Sequence, residues 1–310
     1  MRKILVTGGA GNVGGSLAKK LVEDPENFVI IVDNLRTGSI NKLPNSDKKN
    51  WKFIKGNVNA YNDIAAVMTS YQFDFVFHYA ALVGVQRTLS EPVKVLEDIE
   101  GIKNILNLSK NTGVQRVFYS SSSEVYGEPV EFPQNEHTTP LNSRLPYAIV
   151  KNVGEAFLKS YNKEYGLDYT IFRFFNTYGP DQSTDFVISK FIKNAQNNED
   201  ITIYGDGKQS RTFCYINDNI DATLKIFYEK LHLNDIVNIG NDEETSIAEL
   251  AKKIIYHTLS KSNIIHLPPL QEGDMSRRKP DNFKMRNVLN RPLITIDEGI
   301  NKIIEAFRDK

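Results

Sequence analysis

KILVTGGAGNVGGSLAKKL, Lys3 to Leu21, is the stretch on which the fold of this chain turns. An apolar run (Ile4, Leu5, Val6) gives way to a glycine-rich turn. Apolar residues at Val13, Leu17, Leu21 and Val22 then follow at the spacing of one helix face. Gly9, Gly11 and Gly14 satisfy GxGxxG, and Gly8, Gly11 and Gly14 satisfy GxxGxxG. Such a pattern is weak in isolation. Between a strand and a helix it has a physical use, because glycine allows a tight turn and close backbone approach, while the helix N-terminus offers free N–H groups and partial positive charge to a pyrophosphate. FVIIVD (Phe28 to Asp33) reads as the next strand and ends in a carboxylate placed to bind ribose hydroxyls, followed by Asn34. These features predict a dinucleotide site built from Gly8, Gly11, Asn12, Val13, Gly14, Asp33 and Asn34. Asp33 would repel a 2′-phosphate, so NAD is favoured over NADP. The competing role for Asp33 is to start the turn DNLRTG.

Working outward, WKFIKG, FDFVFHYA, QRVFYSS and YTIFRFF repeat the strand theme, separated by helical patterns over Pro92 to Asn111 and Tyr147 to Tyr165. The apolar runs are continuous, as parallel strands covered on both faces require. Strands alternating with helices predict an α/β fold, a Rossmann-type doubly wound parallel sheet. Past Asn176 the strands shorten (ITIY, TFCYI, IVNIG, NIIHL), and Ser246 with Glu249 has capping-box spacing. The expected division is a nucleotide-binding domain over residues 1–175, with some later segments returning to it, and a smaller C-terminal α/β substrate domain over 176–310.

Bulk properties exclude several classes. Lys plus Arg (38) cancels Asp plus Glu (38), so no net field draws the molecule to nucleic acid or an anionic membrane. The start MRKILVTGG lacks the apolar core of a signal peptide, and no run reaches the length of a membrane span. A lone cysteine, Cys214, fits a reducing compartment, and the cytoplasm is expected. His78, His137, His232, His257 and His266 are scattered without HExxH or CxxC spacing, so no metal site is expected.

Two further stretches carry chemistry. In PYAIVK, Tyr147 and Lys151 are four residues apart, one turn of helix, so an ammonium could favour the phenolate of a tyrosine that is otherwise almost wholly protonated at neutral pH. In YSSSSEVYGEP, the strand-like run ends in hydroxyls and a carboxylate, Ser120 to Glu124, which have no packing value.

Taken in order, TGGAGNVG, Asp33, HYAA (His78 to Ala81), SSSEVYG (Ser121 to Gly127), YAIVK (Tyr147 to Lys151), RFFNTYGP (Arg173 to Pro180) and YGDGKQSRTFCYIND (Tyr204 to Asp218) resemble the extended short-chain dehydrogenases, within them the nucleotide-sugar epimerase/dehydratase group, over nearly the whole chain. The resemblance implies a resident NAD that is reduced and reoxidised in each turnover, a nucleoside-diphosphate sugar, foremost a UDP-sugar, in a cleft between the domains, and a homodimer. It implies that Tyr147 takes the sugar O4 proton, that Lys151 lowers the phenol's pKa and holds the nicotinamide ribose, and that Ser122 binds the reacting oxygen. It adds Asn57, Val58, Tyr79, Ala80 and Ala81 to the cofactor site. Val83, Ser123, Asn176, Tyr204, Arg211 and Arg278 are assigned to the substrate, the two arginines as clamps on its diphosphate. Departures are Asn57 where an aspartate is usual, and Asp98 and Ile102 where Asn and Thr are typical.

Oxidation at C4 is common to the group, and the following step separates its members. HYAALVGVQRTLSEP resembles epimerases. SEVYG and RRKPD resemble UDP-glucuronate decarboxylases, and QEGD (Gln271 to Asp274) lacks the arginine that many epimerases place before Gly-Asp. Ser123 before Glu124 lacks the aspartate of dTDP-glucose 4,6-dehydratases. The expectation is an NAD-dependent nucleotide-sugar 4-epimerase, with decarboxylase or dehydratase as alternatives that would give Glu124 an acid/base role. A non-catalytic dinucleotide-binding regulator is the remote alternative, and it would need none of Ser122, Tyr147 and Lys151.

Overall fold

A computed structural model describes residues 1–128, 130–269 and 277–308; QEGD falls outside them. From the N-terminus, β1 (Arg2–Thr7), α1 (Asn12–Leu21), β2 (Asn27–Asp33), β3 (Trp51–Lys55), α2 (Tyr61–Tyr71) and β4 (Phe75–His78) lead to the short helices α3 (Val85–Ser90) and α4 (Pro92–Leu96) and to α5 (Asp98–Thr112). Then come β5 (Arg116–Ser122), α6 (Pro146–Tyr165) and β6 (Asp168–Phe174). The single helix expected over Pro92 to Asn111 is divided at Glu97. The break falls beside Asp98, whose carboxylate accepts the Leu82 N–H at 2.7 Å and the Asn59 side-chain amide at 3.0 Å.

The remainder comprises β7 (Thr177–Tyr178), α7 (Val187–Gln196), β8 (Ile201–Tyr204), β9 (Ser210–Thr212), β10 (Cys214–Tyr215), α8 (Ile216–Tyr228) and β11 (Asp235–Ile239). It ends with β12 (Glu244–Ser246), α9 (Ile247–Thr258), β13 (Ile264–Leu267), α10 (Phe283–Leu289) and α11 (Ile296–Arg308). Ser246 caps α9, accepting the Glu249 N–H at 3.1 Å. Three two-stranded pairings, β7 with β10, β8 with β13 and β9 with β12, make up the smaller sheets.

One seven-stranded sheet, all parallel, runs β11-β6-β5-β4-β1-β2-β3. Its seventh strand comes from beyond residue 175. Within the continuous apolar strands, neighbours face opposite sides. Ile4 and Val6 join Leu17 and Leu21 of α1 and Phe227 of α8, whereas Leu5 joins Met68 of α2, Ile105 of α5 and Leu158 of α6. Both faces are therefore covered, which is why polar residues do not alternate along these strands.

A buried ion pair ties helix to sheet. Arg173 on β6 donates to both oxygens of Glu155 on α6 (2.9 and 2.7 Å), each side chain being 1 % exposed, and Glu155 also accepts the Ser121 hydroxyl at 2.6 Å. Burial pulls the Arg173 pKa down, but the Glu155 carboxylate and the Tyr126 phenol outweigh it and hold the guanidinium charged. Glu155→Gln would leave that charge buried and uncompensated, so a loss of about 3 kcal/mol in chemical denaturation is expected. Unchanged stability would contradict this account of the pair.

Candidate active site

The strand order reverses between β1 and β4, and a cleft of about 390 Å³ opens there at the carboxyl ends of the strands. At its floor, Gly8 has φ +70°, and a Cβ at Gly14 would lie 2.3 Å from the Gly8 carbonyl oxygen. The turn leaves the N-terminus of α1 facing the cleft through Gly11, Asn12, Val13 and Gly14. Asp33 is 9 % exposed and accepts backbone N–H groups from Ala10 (3.0 Å) and Leu35 (2.8 Å), so it holds the glycine turn against the end of β2 while lining the cleft. The turn-starting role expected of Asp33 is thus met, on a side chain that also lines the cleft. Asn34, Asn57, Val58, Tyr79, Ala80 and Ala81 line the same cleft. Thr7 fixes the last of these, accepting the Tyr79 and Ala80 N–H groups at 3.2 Å. A glycine cradle that a single Cβ would fill, a helix N-terminus and a carboxylate at the end of β2 fit an NAD. Gly14→Ala is accordingly expected to abolish retention of NAD, measured as nucleotide released from denatured purified protein. Parent-like recovery would rule the cradle out.

Next along the cleft are the hydroxyls and the phenol. β5 ends at Ser122, whose hydroxyl accepts the Glu124 N–H at 3.2 Å and so caps the short turn that follows. Tyr147 stands in the first turn of α6, after Pro146, a residue preorganised for that position. Lys151 is 3 % exposed; its ammonium donates to the Ser120 carbonyl at 2.7 Å and lies 5.7 Å from the centre of the Tyr147 ring. Burial brings the Lys151 pKa down to about 8, while Asp98 raises it. His78, buried and beside Lys151, is lowered to about 3 and stays neutral, sharing a 2.9 Å hydrogen bond with Thr7.

The expectation of a lowered Tyr147 pKa is corrected by this geometry. Burial, then the Glu124 charge, push the phenol above its usual range, and Asp98 adds to them; the Ser122 hydroxyl and Arg278 oppose them without prevailing. Burial first, and the Glu124 charge next, favour the neutral phenol in the chain by itself.

Glu124 does not turn away toward the backbone around Gly127. Its carboxylate lies 3.5 Å from the Arg278 guanidinium, and both line the cleft with Ser122, Ser123, Tyr147 and Asn176. Arg278 is 6 % exposed, and Glu124 is partly buried. Asn176, at φ +34°, takes a conformation that asparagine tolerates better than most residues, and its amide donates to the Thr212 carbonyl at 2.9 Å. Val83 completes the expected residues that line the cleft.

Two of the expected substrate residues are not brought there. Tyr204 ends β8, paired with β13, and Arg211 sits on β9, opposite Thr245 of β12, with its guanidinium on the Ser210 carbonyl at 2.7 Å. Neither is among the described residues that line the cleft. Conversely, Asp98, Gln182 and Asp185 do line it and were not assigned to a site from sequence. Asp98 stood out as a departure from the usual asparagine, which was the available signal. Among the described residues there is no cluster of three metal-ligating side chains, and no helix is long and apolar enough to cross a membrane.

Comparison with known proteins agrees with this arrangement. The sequence model of the NAD dependent epimerase/dehydratase family matches residues 4–240. A UDP-N-acetyl-alpha-D-glucosaminuronate decarboxylase of Bacillus cytotoxicus is 35% identical, over 99% of this chain and 98% of that protein. UDP-glucuronic acid decarboxylase 1 of Danio rerio is 34% identical over 99% of this chain and 72% of its own length. The crystal structure of UDP-glucose 4-epimerase with UDP-glucose from Thermotoga maritima superposes with a TM-score of 0.92 at 30% identity, covering 99% of each chain. With the glycine cradle, the doubly wound sheet and the full-length match together, the chain belongs to the NAD-dependent epimerase/dehydratase family.

Proposed function

We propose that this protein is an NAD-dependent decarboxylase of a UDP-linked hexuronate, UDP-glucuronate or its 2-acetamido counterpart. The observation that carries the reading is the Glu124–Arg278 pair, 3.5 Å apart inside the cleft and close enough to Tyr147 for both charges to act on its phenol. A 4-epimerase needs only a group that takes and returns the O4 proton. A carboxylate and a guanidinium together beside that group suit a substrate that carries charge at C6 and needs a proton at C5. The two decarboxylase relatives support the same reading.

When bound, NAD takes the C4 hydride and gives it back. As the phenolate, which Lys151 and the positive charge that bound NAD would bring both favour, Tyr147 removes the O4 proton as the C4–H bond breaks, and Ser122 donates to the oxygen where charge gathers. Arg278 orients the C6 carboxylate. When the C5–C6 bond breaks, carbon dioxide leaves and the electron pair passes into the C4–C5 enolate, whose oxygen Ser122 and Tyr147 hold. Glu124 takes up a proton from solvent water and passes it to C5, and Tyr147 returns to O4 the proton it removed. Lys151 ties α6 to the end of β5 through the Ser120 carbonyl, and in this reading its ammonium would also hold the cofactor's ribose. In this reading Arg278 serves the C6 carboxylate in place of the diphosphate expected from sequence, and Asn176 meets the diphosphate.

The 4-epimerase reading stays as the second, favoured by the close superposition on a UDP-glucose 4-epimerase. In it Glu124 and Arg278 serve only to hold the substrate. A homodimer belongs to either reading: exposed Val93 and Leu96 on α4 and Ile149 on α6 offer an apolar face. Incubation of the NAD-loaded protein with UDP-glucuronate, UDP-N-acetylglucosaminuronate, UDP-glucose and UDP-N-acetylglucosamine, followed by mass spectrometry, tests the proposal. Loss of carbon dioxide from a uronate is expected. An isomer of unchanged mass from a neutral sugar, with the uronates untouched, would replace it by the epimerase reading.

A further inference from the structure

Behind the cleft wall, Glu124 and Arg278 are connected a second time. Tyr126, two residues after Glu124, is fully buried; its hydroxyl accepts from the Arg173 guanidinium at 2.8 Å and donates to the Asn238 side-chain carbonyl at 2.8 Å. The Asn238 amide, on β11 and likewise buried, donates to the Gln134 carbonyl (2.8 Å) and the Asp281 carbonyl (3.1 Å). Gln134 in turn clasps the segment that follows Arg278: its N–H donates to the Lys279 carbonyl and its carbonyl accepts the Asp281 N–H, each at 2.8 Å. On the other side, Arg173 binds Glu155, and Glu155 binds Ser121, next to Ser122. One hydroxyl therefore stands between the turn that carries Glu124 and the segment that carries Arg278. A tyrosine used only for packing needs its ring alone, whereas this one has a donor and an acceptor partner on two different strands.

We propose that Tyr126 is a positioning residue which, through Arg173 and Asn238, sets Glu124 and Arg278 at the separation that proton delivery to C5 requires. The inference rests on the decarboxylase reading of that pair. Tyr126 touches neither Tyr147 nor Ser122 through its hydroxyl, so the first oxidation at C4 should survive its loss.

The test is Tyr126→Phe in the full-length, NAD-loaded protein with UDP-glucuronate, comparing NADH absorbance in the first turnover with formation of decarboxylated product. Product formation is expected to fall tenfold or more while NADH appears within threefold of the parent rate. A Tyr126→Phe/Glu124→Gln double variant should be no more than threefold below Glu124→Gln alone, since both changes disable the same step. Parent-like product formation, an equal fall in both rates, or multiplied losses in the double variant would overturn the proposal. If Tyr126→Phe does not fold, Asn238→Ser cuts the same link from the other side and carries the same comparison. Glu124→Gln with parent activity would remove the decarboxylase reading itself, whereas an impaired Glu124→Gln beside a parent-like Tyr126→Phe would remove only the positioning role.

Discussion

Tyr147→Phe is expected to lower kcat by about a hundredfold to ten-thousandfold, the range that removal of a general acid or base produces. The ring remains, so the packing of α6 against β5 changes little and the melting temperature should stay within a few degrees. Burial and then Glu124 hold the hydroxyl above its ordinary pKa in the chain by itself, so forming the phenolate base takes the Lys151 ammonium and the positive charge that bound NAD would add, with the proton released to solvent. Steady-state kinetics on the sugar identified by the panel, with NAD content measured on the same sample, decide the matter. Activity within threefold of the parent at unchanged NAD content would sink the assignment for either reaction.

Glu124→Gln is expected to cost a hundredfold or more in carbon dioxide release, with the first-turnover appearance of NADH largely retained. The substitution keeps the shape of the side chain and one carbonyl toward Arg278, but it removes the charge that the guanidinium pairs with and the carboxylate that would relay a solvent proton to C5. Since Glu124 is partly buried and Arg278 nearly fully so, the variant also leaves the guanidinium without its carboxylate, and some loss of substrate binding should accompany the fall in kcat. A well-folded Glu124→Gln that keeps most of its activity on a neutral sugar would instead select the 4-epimerase. The two readings thus separate on a single residue, where Tyr147→Phe does not distinguish them.

Local pattern alone made much of this molecule legible. The strand, glycine turn and helix from Lys3 to Leu21 depend on hydrogen bonds and sterics between near neighbours. So do the carboxylate that ends β2 and the four-residue spacing of Tyr147 and Lys151, and each reappears in the structure where the sequence placed it. The capping pair Ser246 and Glu249 belongs to the same class. What the tertiary structure alone decided are pairings between distant segments. It brought Arg278 to Glu124 and returned β11 to the edge of β6. It put Tyr204 and Arg211 on strands of the small sheets, and it divided the helix at Glu97 where Asp98 reaches back to Leu82. In the chain by itself it also reversed the expected direction of the Tyr147 pKa, because burial first and then the Glu124 charge favour the neutral phenol, and both follow from packing in space. Sequence periodicity reports which face of an element is apolar. Which charge meets which depends on how those faces pack, and that is settled by the whole chain at once.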